Sequence, residues 1–197
     1  MKIGIFGGSF NPVHNGHIHL AESAVSEFML DKVYFVPSGI SPHRSSAEYV
    51  SGADRLEMLR LASLNYPEFE VCDYEIKSER ISYTYYTVEH FRKNFPDDEL
   101  FLLIGSDMLM IFETWNNFEE IMKNTVLAVI SRHEGDIRKL EEKAEYLSRY
   151  GKILIGKSLP VELSSTDIRK KIAKNQNFSC YLDENVVQYI RLKKLYK

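Results

Sequence analysis

Short apolar runs alternate with amphipathic stretches along this chain, and that alternation limits the folds open to it. The runs at 2–6, 32–36, 68–73, 99–104, 125–131 and 151–155 read as strands. The segments at 16–28, 54–64, 85–94, 117–123, 137–148, 166–174 and 184–193 read as helices. In the first of these, Ile18, Ala21, Val25 and Phe28 recur at helical spacing, with Glu22 and Glu27 elsewhere on the wheel. Repeated strand–helix alternation predicts an α/β fold. The sheet should be parallel and doubly wound, with helices on both faces and a small helical part at the C-terminus. Such sheets bind ligands at the carboxyl ends of their strands, near the switch in strand order.

The 197 residues suit a single domain over 1–197, with the helical part starting near 164. A chain of this length buries roughly 70% of its unfolded surface and needs no disulfides. Its two cysteines, Cys72 and Cys180, lack CxxC spacing and read as packed thiols in a reducing compartment. The net charge of −3 does not suggest a broad nucleic-acid surface. Arg191, Lys193, Lys194 and Lys197 cluster near the end and read as solvated helix. No apolar stretch has membrane-spanning length, and the opening Met1–Phe6 run is too short for a signal peptide. A cytoplasmic protein is expected.

The first strand runs into Gly7-Gly8-Ser9-Phe10-Asn11-Pro12-Val13-His14-Asn15-Gly16-His17. This is neither a Walker A loop nor GxGxxG. It has the physics of a phosphate site all the same. Two glycines let backbone approach a ligand, and the following helix aims unpaired N–H groups and a partial positive charge at that point. His14 and His17 bracket the helix start, so both imidazoles can face one anion. The plainer reading is a Gly-rich turn with two surface histidines. Metal ligation lacks a third ligand at suitable spacing.

A second constellation is Ser164-Ser165-Thr166-Asp167-Ile168-Arg169. Ser164 and Asp167 fit a capping box, so a helix should begin there. Thr166 and Arg169, three apart, and Ser165 and Arg169, four apart, can share a face. Hydroxyls, free N–H groups and an arginine at a helix start would make a second polyphosphate cradle. Ordinary capping with an exposed arginine is the alternative. The long segment 37–53 holds two prolines, five serines and two glycines, and loops of that length are often functional.

These two motifs resemble those of the HxGH nucleotidyltransferase superfamily: GSFNPxHxGH near the N-terminus and SSTxIR near the C-terminus. Within it, the chain is most similar to bacterial nicotinate mononucleotide adenylyltransferases, from the first strand to about residue 191. Intermediate matches are Pro37 with Pro42-His43-Arg44, Arg55 with Met58-Leu59, Ser82-Tyr83-Thr84, Gly105-Ser106-Asp107 and Trp115. The chain departs from the family at Ser41, Arg44 and Ser106, where PPHK and GAD are frequent, and around Ile111–Trp115, where LPKW is. Arginine in place of lysine at 44 keeps the charge and changes the reach.

The resemblance implies a Rossmann-like fold and transfer of an adenylyl group from ATP to nicotinate mononucleotide, with Mg²⁺ held mainly by the phosphates. It makes His14, His17 and Arg169 the catalytic residues. ATP would be bound by those three with Gly7, Gly8, Ser9, Phe10, Gly105, Asp107, Ser164, Ser165 and Thr166. The acceptor would be bound by Asn11, His43, Arg44, Thr84 and Trp115, with helix-start amides near Thr84 on the nicotinate carboxylate and an aromatic ring on the pyridine. No metal ligands are expected from the protein. Asp107 also reads as a helix N-cap, Trp115 as core, and Arg55 as the partner of Asp54 in a local ion pair. Nicotinamide mononucleotide or phosphopantetheine as acceptor, or a silent nucleotide sensor, are the competing readings.

Overall fold

A computed structural model describes residues 1–40, 49–130, 137–158, 161 and 163–197. Six strands form one all-parallel sheet: β1 (Lys2–Gly8), β2 (Lys32–Pro37), β3 (Phe69–Val71), β4 (Glu99–Gly105), β5 (Val126–Ile130) and β6 (Ile153–Ile155). Their order is β3-β2-β1-β4-β5-β6. The chain winds outward from β1 to β3, then returns to the other side of β1 to start β4. β1 therefore pairs with both β2 and β4, and the switch in direction opens a crevice at the carboxyl ends of β1 and β4.

Residue alternation on the strands explains the layers. On β4, Leu100, Leu102 and Ile104 pack to one face, while Phe101 and Leu103 pack to the other. On β5, Leu127 and Val129 join the first group and Val126, Ala128 and Ile130 the second. Both faces are thus apolar and both are covered. Helices α1 (Asn15–Phe28), α2 (Gly52–Ser63), α8 (Ser165–Ala173) and α9 (Glu184–Lys193) contribute to one core. Helices α4 (Thr84–Asn94), α5 (Ser106–Met110), α6 (Phe118–Asn124) and α7 (Ile137–Leu147) contribute to the other. This is the Rossmann-like, doubly wound fold, with helices at its C-terminal end. Among the described residues, no helix is long and apolar enough to cross a membrane.

The expected strands are present, and the two edge strands are shorter than expected. β3 spans Phe69–Val71 and β6 spans Ile153–Ile155. Gly151 lies outside β6 with its backbone tight against the Met122 carbonyl, where a Cβ would come within 2.5 Å. Among the described residues, two short α-helices lie outside the expected segments: α3 (Tyr74–Lys77) and α5, of four and five residues. Neither is long enough to show a 3.6-residue period. α2 starts at Gly52, because Ser51 caps it by accepting the Asp54 N–H at 3.0 Å.

Candidate active site

A cleft of about 600 Å³ opens at the switch point. Its floor is the end of β1, Gly7-Gly8, with Ser9, one wall is the start of α1, and the opposite wall is Ser164–Asp167 at the start of α8. Asp107, in the first turn of α5, also lines it. Two helix N-termini, of α1 and α8, therefore share one cavity, and each places amide donors and partial positive charge there. A side chain at Gly7 would meet nothing within 4 Å, whereas one at Gly8 would strike the Phe10 ring at 3.0 Å.

The two histidines are held by stacking. His14 and His17 lie ring on ring, with centroids 3.7 Å apart and planes 25° apart. Phe10 closes edge-on against His17 at 5.0 Å. Phe10 itself is fully buried against Phe6 and Phe35 and sits at φ 45, in the left-handed region. Burial of a ring this size fixes the turn, since it removes apolar surface worth roughly 1.5–3 kcal/mol from water. The His14 backbone N–H donates to Nδ1 of His17 at 3.2 Å. A neutral His17 that accepts at Nδ1 carries its proton on Nε2, so Nε2 is its donor to a ligand. The glycine between them has a steric reason: a Cβ at Gly16 would come within 3.2 Å of the His14 ring and 3.3 Å of the Val161 carbonyl.

The loop connecting β1 to α1 is clamped from several directions. Nη1 of Arg169 donates to the Asn11 carbonyl at 2.9 Å. The Ser165 hydroxyl donates to the Pro12 carbonyl at 2.9 Å. Nη1 of Arg55 donates to the Ser9 carbonyl, also at 2.9 Å. The two sequence motifs, more than 150 residues apart, are thereby joined directly.

Arg55 is not the partner of Asp54. It is 3% exposed and lies over the Tyr49 ring, with 5.4 Å from the guanidinium to the ring centroid. Burial pulls its pKa below the usual arginine value, while Tyr49, Tyr196 and Glu75 oppose that shift. Asp54 instead accepts from Ser51 and from the Tyr189 hydroxyl. The capping box at Ser164 does not form either: the Ser164 side chain makes no cap bond, and Asp167 pairs with Lys170 at 3.5 Å on an exposed face. The helix starts where expected because Ser165, rather than Ser164, is tied down.

The structure brings Gly7, Gly8, Ser9, Phe10, His14, His17, Asp107, Ser164, Ser165 and Thr166 to the cleft. Gly105 stands one step behind it, as the N-cap of α5. Arg169 and Asn11 lie behind the loop rather than on the lining described, and the Asn11 side chain is fully buried. Thr84 opens α4, whose N-cap Tyr83 gives no side-chain bond, and Trp115 is half-buried against Phe112 at 5.0 Å. Neither of these lines the described cleft. His43 and Arg44 lie outside the described residues. Several contributions escaped sequence reasoning. Met108, His19 and Val161 line the cleft, Arg55 ties Ser9, and Tyr196 reaches Asn11 from the end of the chain. An apolar Leu195-Tyr196 pair among lysines was the available signal for Tyr196.

The sequence pattern of the cytidylyltransferase-like family matches residues 5–171. The chain belongs to that family. It is 36% identical over 198 residues to a protein of Clostridium tetani named probable nicotinate-nucleotide adenylyltransferase, covering 100% of this chain and 99% of that one. A Clostridium acetobutylicum protein of the same name is 36% identical over 197 residues, covering 99% and 98%. Among solved structures, Plasmodium falciparum nicotinic acid mononucleotide adenylyltransferase complexed with NaAD superposes with a TM-score of 0.81. It is 18% identical, with 99% of this chain and 97% of that one covered. At that identity, the superposition speaks for the fold.

Proposed function

We propose that this chain transfers the adenylyl group of ATP to nicotinate mononucleotide, giving nicotinate adenine dinucleotide and pyrophosphate. It is a nicotinate-nucleotide adenylyltransferase acting in NAD biosynthesis, and we place it in the cytoplasm. The full-length relatives carry this name. The observation that carries the chemistry is the stacked His14–His17 pair at the start of α1, facing the start of α8 across one cleft.

The attacking group is the 5′-phosphate of the mononucleotide. Its second pKa is about 6, so at neutral pH it is already mostly dianionic and needs no general base. The obstacle is repulsion between anions. Positioned donors lower it: Nε2 of His17 and the His14 ring at the α-phosphate, with Ser165, Thr166 and Arg169 toward the β- and γ-phosphates. Asp107 is placed to accept from ribose hydroxyls. Pyrophosphate leaves, and no covalent intermediate is required.

Asp107 and Asp167 are the carboxylates on the cleft lining described, and no cluster of three or more His, Cys, Asp or Glu side chains occurs among the described residues. Such a lining fits Mg²⁺ that arrives on the triphosphate, held mainly by phosphate and water oxygens. It would neutralise part of the charge on the leaving pyrophosphate.

On the acceptor side, the uncapped start of α4 at Thr84 offers N–H donors and positive partial charge, which favour a carboxylate over an amide. Trp115 stacks on the pyridinium ring, and His43 and Arg44 are assigned to the acceptor as well, whereas the fully buried Asn11 side chain serves the loop. Leaving a donor unpaired costs about 1–3 kcal/mol, so nicotinate should be preferred roughly tenfold to a few hundredfold. The test is pyrophosphate release from ATP with nicotinate mononucleotide, nicotinamide mononucleotide or phosphopantetheine. The expected result is turnover with the first at the highest kcat/KM. Equal values for the two pyridine nucleotides would overturn the role of the α4 start and leave adenylyl transfer standing. Binding of ATP with no pyrophosphate from any acceptor would make the chain a sensor.

A further inference from the structure

The residues that follow α9 turn back onto the fold. α9 stops at Lys194, which adopts the left-handed conformation at φ 52, and the Leu195 N–H turns back to the Ile190 carbonyl at 3.1 Å. Leu195 and Tyr196 then fold onto the core that carries α1 and α8. Tyr196 itself stands at φ 62. A bulky residue keeps such a backbone conformation only when its surroundings hold it there.

What holds it lies at the other end of the sequence. The Tyr196 hydroxyl donates to Oδ1 of Asn11 at 2.8 Å. The same oxygen accepts the Val50 N–H at 3.3 Å, and the Asn11 side chain has no exposure at all. Asn11 is also the residue whose carbonyl receives Arg169. Ser9 and Pro12 on either side are tied to Arg55 and Ser165. The loop that delivers His14 and His17 is thus gripped along its main chain by α2 and α8. Its central side chain is gripped by the C-terminal residues.

We propose that Tyr196 is a positioning residue for adenylyl transfer: through Asn11 it fixes the loop that sets the His14–His17 pair against the ATP phosphates. This rests on the function proposed above. Tyr196 is not on the cleft lining described, so it acts through the loop and not on the substrate. Its chemistry suits the task. A phenol is a neutral donor, and here it stands within electrostatic reach of both Arg55 and Arg169. Burial raises its pKa far above the ordinary tyrosine value, with the two arginines opposing, so the donor stays protonated at every working pH. A third cation at this point would repel the two already present, and a carboxylate would draw them off the carbonyls of Ser9 and Asn11.

Tyr196→Phe keeps the ring and removes the donor. Its kcat should fall about tenfold, as loss of one part-buried hydrogen bond allows. KM for ATP and for the mononucleotide should stay within about threefold of wild type. The same substitution in an Asn11→Ala background should cost less than about twofold, because its acceptor is already gone. Single-turnover rates at high enzyme concentration keep the weaker variants measurable. Equal losses in both backgrounds would overturn the proposal, since the hydroxyl would then act elsewhere. A Tyr196→Phe enzyme with full kcat, or one that fails to fold, would overturn it as well. An inactive wild type would instead overturn the function itself.

Discussion

The turn from β1 into α1 and the turn into α4 both deliver a helix N-terminus, yet they are held by different means. The first is braced by polar contacts from distant parts of the chain. Arg55, Ser165, Arg169 and Tyr196 take the Ser9, Pro12 and Asn11 oxygens. The second is braced from Gly39 and Ile40, just after β2, and from Glu75 on α3. The Ile40 carbonyl accepts the Ser82 N–H at 2.8 Å, and the Ser82 hydroxyl accepts the Gly39 N–H at 2.9 Å. Beneath α4 lies Glu75, a buried carboxyl that accepts from the Thr87 hydroxyl. The difference fits what each turn is proposed to bind. Polyphosphate demands donors fixed in place while charge redistributes, and fixing a polar loop takes many partners. A single carboxylate on a flat pyridinium ring needs only a helix start and a flat surface.

The sharpest way to break this comparison is to remove a donor from the first turn. His17→Ala should lower kcat by about a hundredfold or more, as loss of one preorganised transition-state donor does. The fold should survive, since His17 is half-buried and its backbone bond to the His14 carbonyl, at 2.8 Å, remains. Near wild-type turnover in steady-state assays would remove His17 from the chemistry.

A smaller effect separates two roles of Arg169. Its guanidinium ties Asn11 through Nη1, and the proposed mechanism also aims it at the outer phosphates. Arg169→Lys keeps the charge and loses the planar fork. ATP and pyrophosphate should bind about tenfold more weakly by calorimetry, in line with one charge-assisted hydrogen bond. AMP should change less. Equal losses for ATP and AMP would mean that Arg169 serves the loop alone.

The same contrast explains what could be read from the sequence. The sheet and its helices were legible because six apolar runs and the long amphipathic segments carry strong periodicity. The phosphate turn was legible because much of its constraint is local: Gly8 faces the Phe10 ring and Gly16 the His14 ring, although Gly16 also faces the distant Val161 carbonyl. The braces were not. Arg55 sits beside Asp54 in sequence, and nothing there says that its side chain turns inward to Ser9. Tyr196 lies 185 residues from the atom it bonds, at the end of a lysine-rich tail. Ser164 and Asp167 spell a capping box that the helix does not use, while the adjacent Ser165 bonds to Pro12. Local pattern locates a polar turn, while the groups that hold it come from tertiary structure.

The smallest expected effect probes the second turn. Glu75 is 7% exposed, and burial raises its pKa above the ordinary carboxylate value, against hydrogen bonds from Thr87 and Ser82 and the charge of Arg55. A carboxyl whose pKa is higher in the folded than in the unfolded chain binds its proton more tightly when folded. Stability is therefore greatest below the unfolded pKa and declines as pH rises from there through the raised folded value. Glu75→Gln cannot titrate, and its amide oxygen still accepts from Thr87. The variant should melt close to wild type near pH 4, and the gap should widen in its favour as pH rises toward 8, to roughly 2–4 °C. Turnover should change little if the α4 start keeps its position. Melting curves across that range decide the matter. A gap that does not vary with pH would show that Glu75 does not carry the pH dependence.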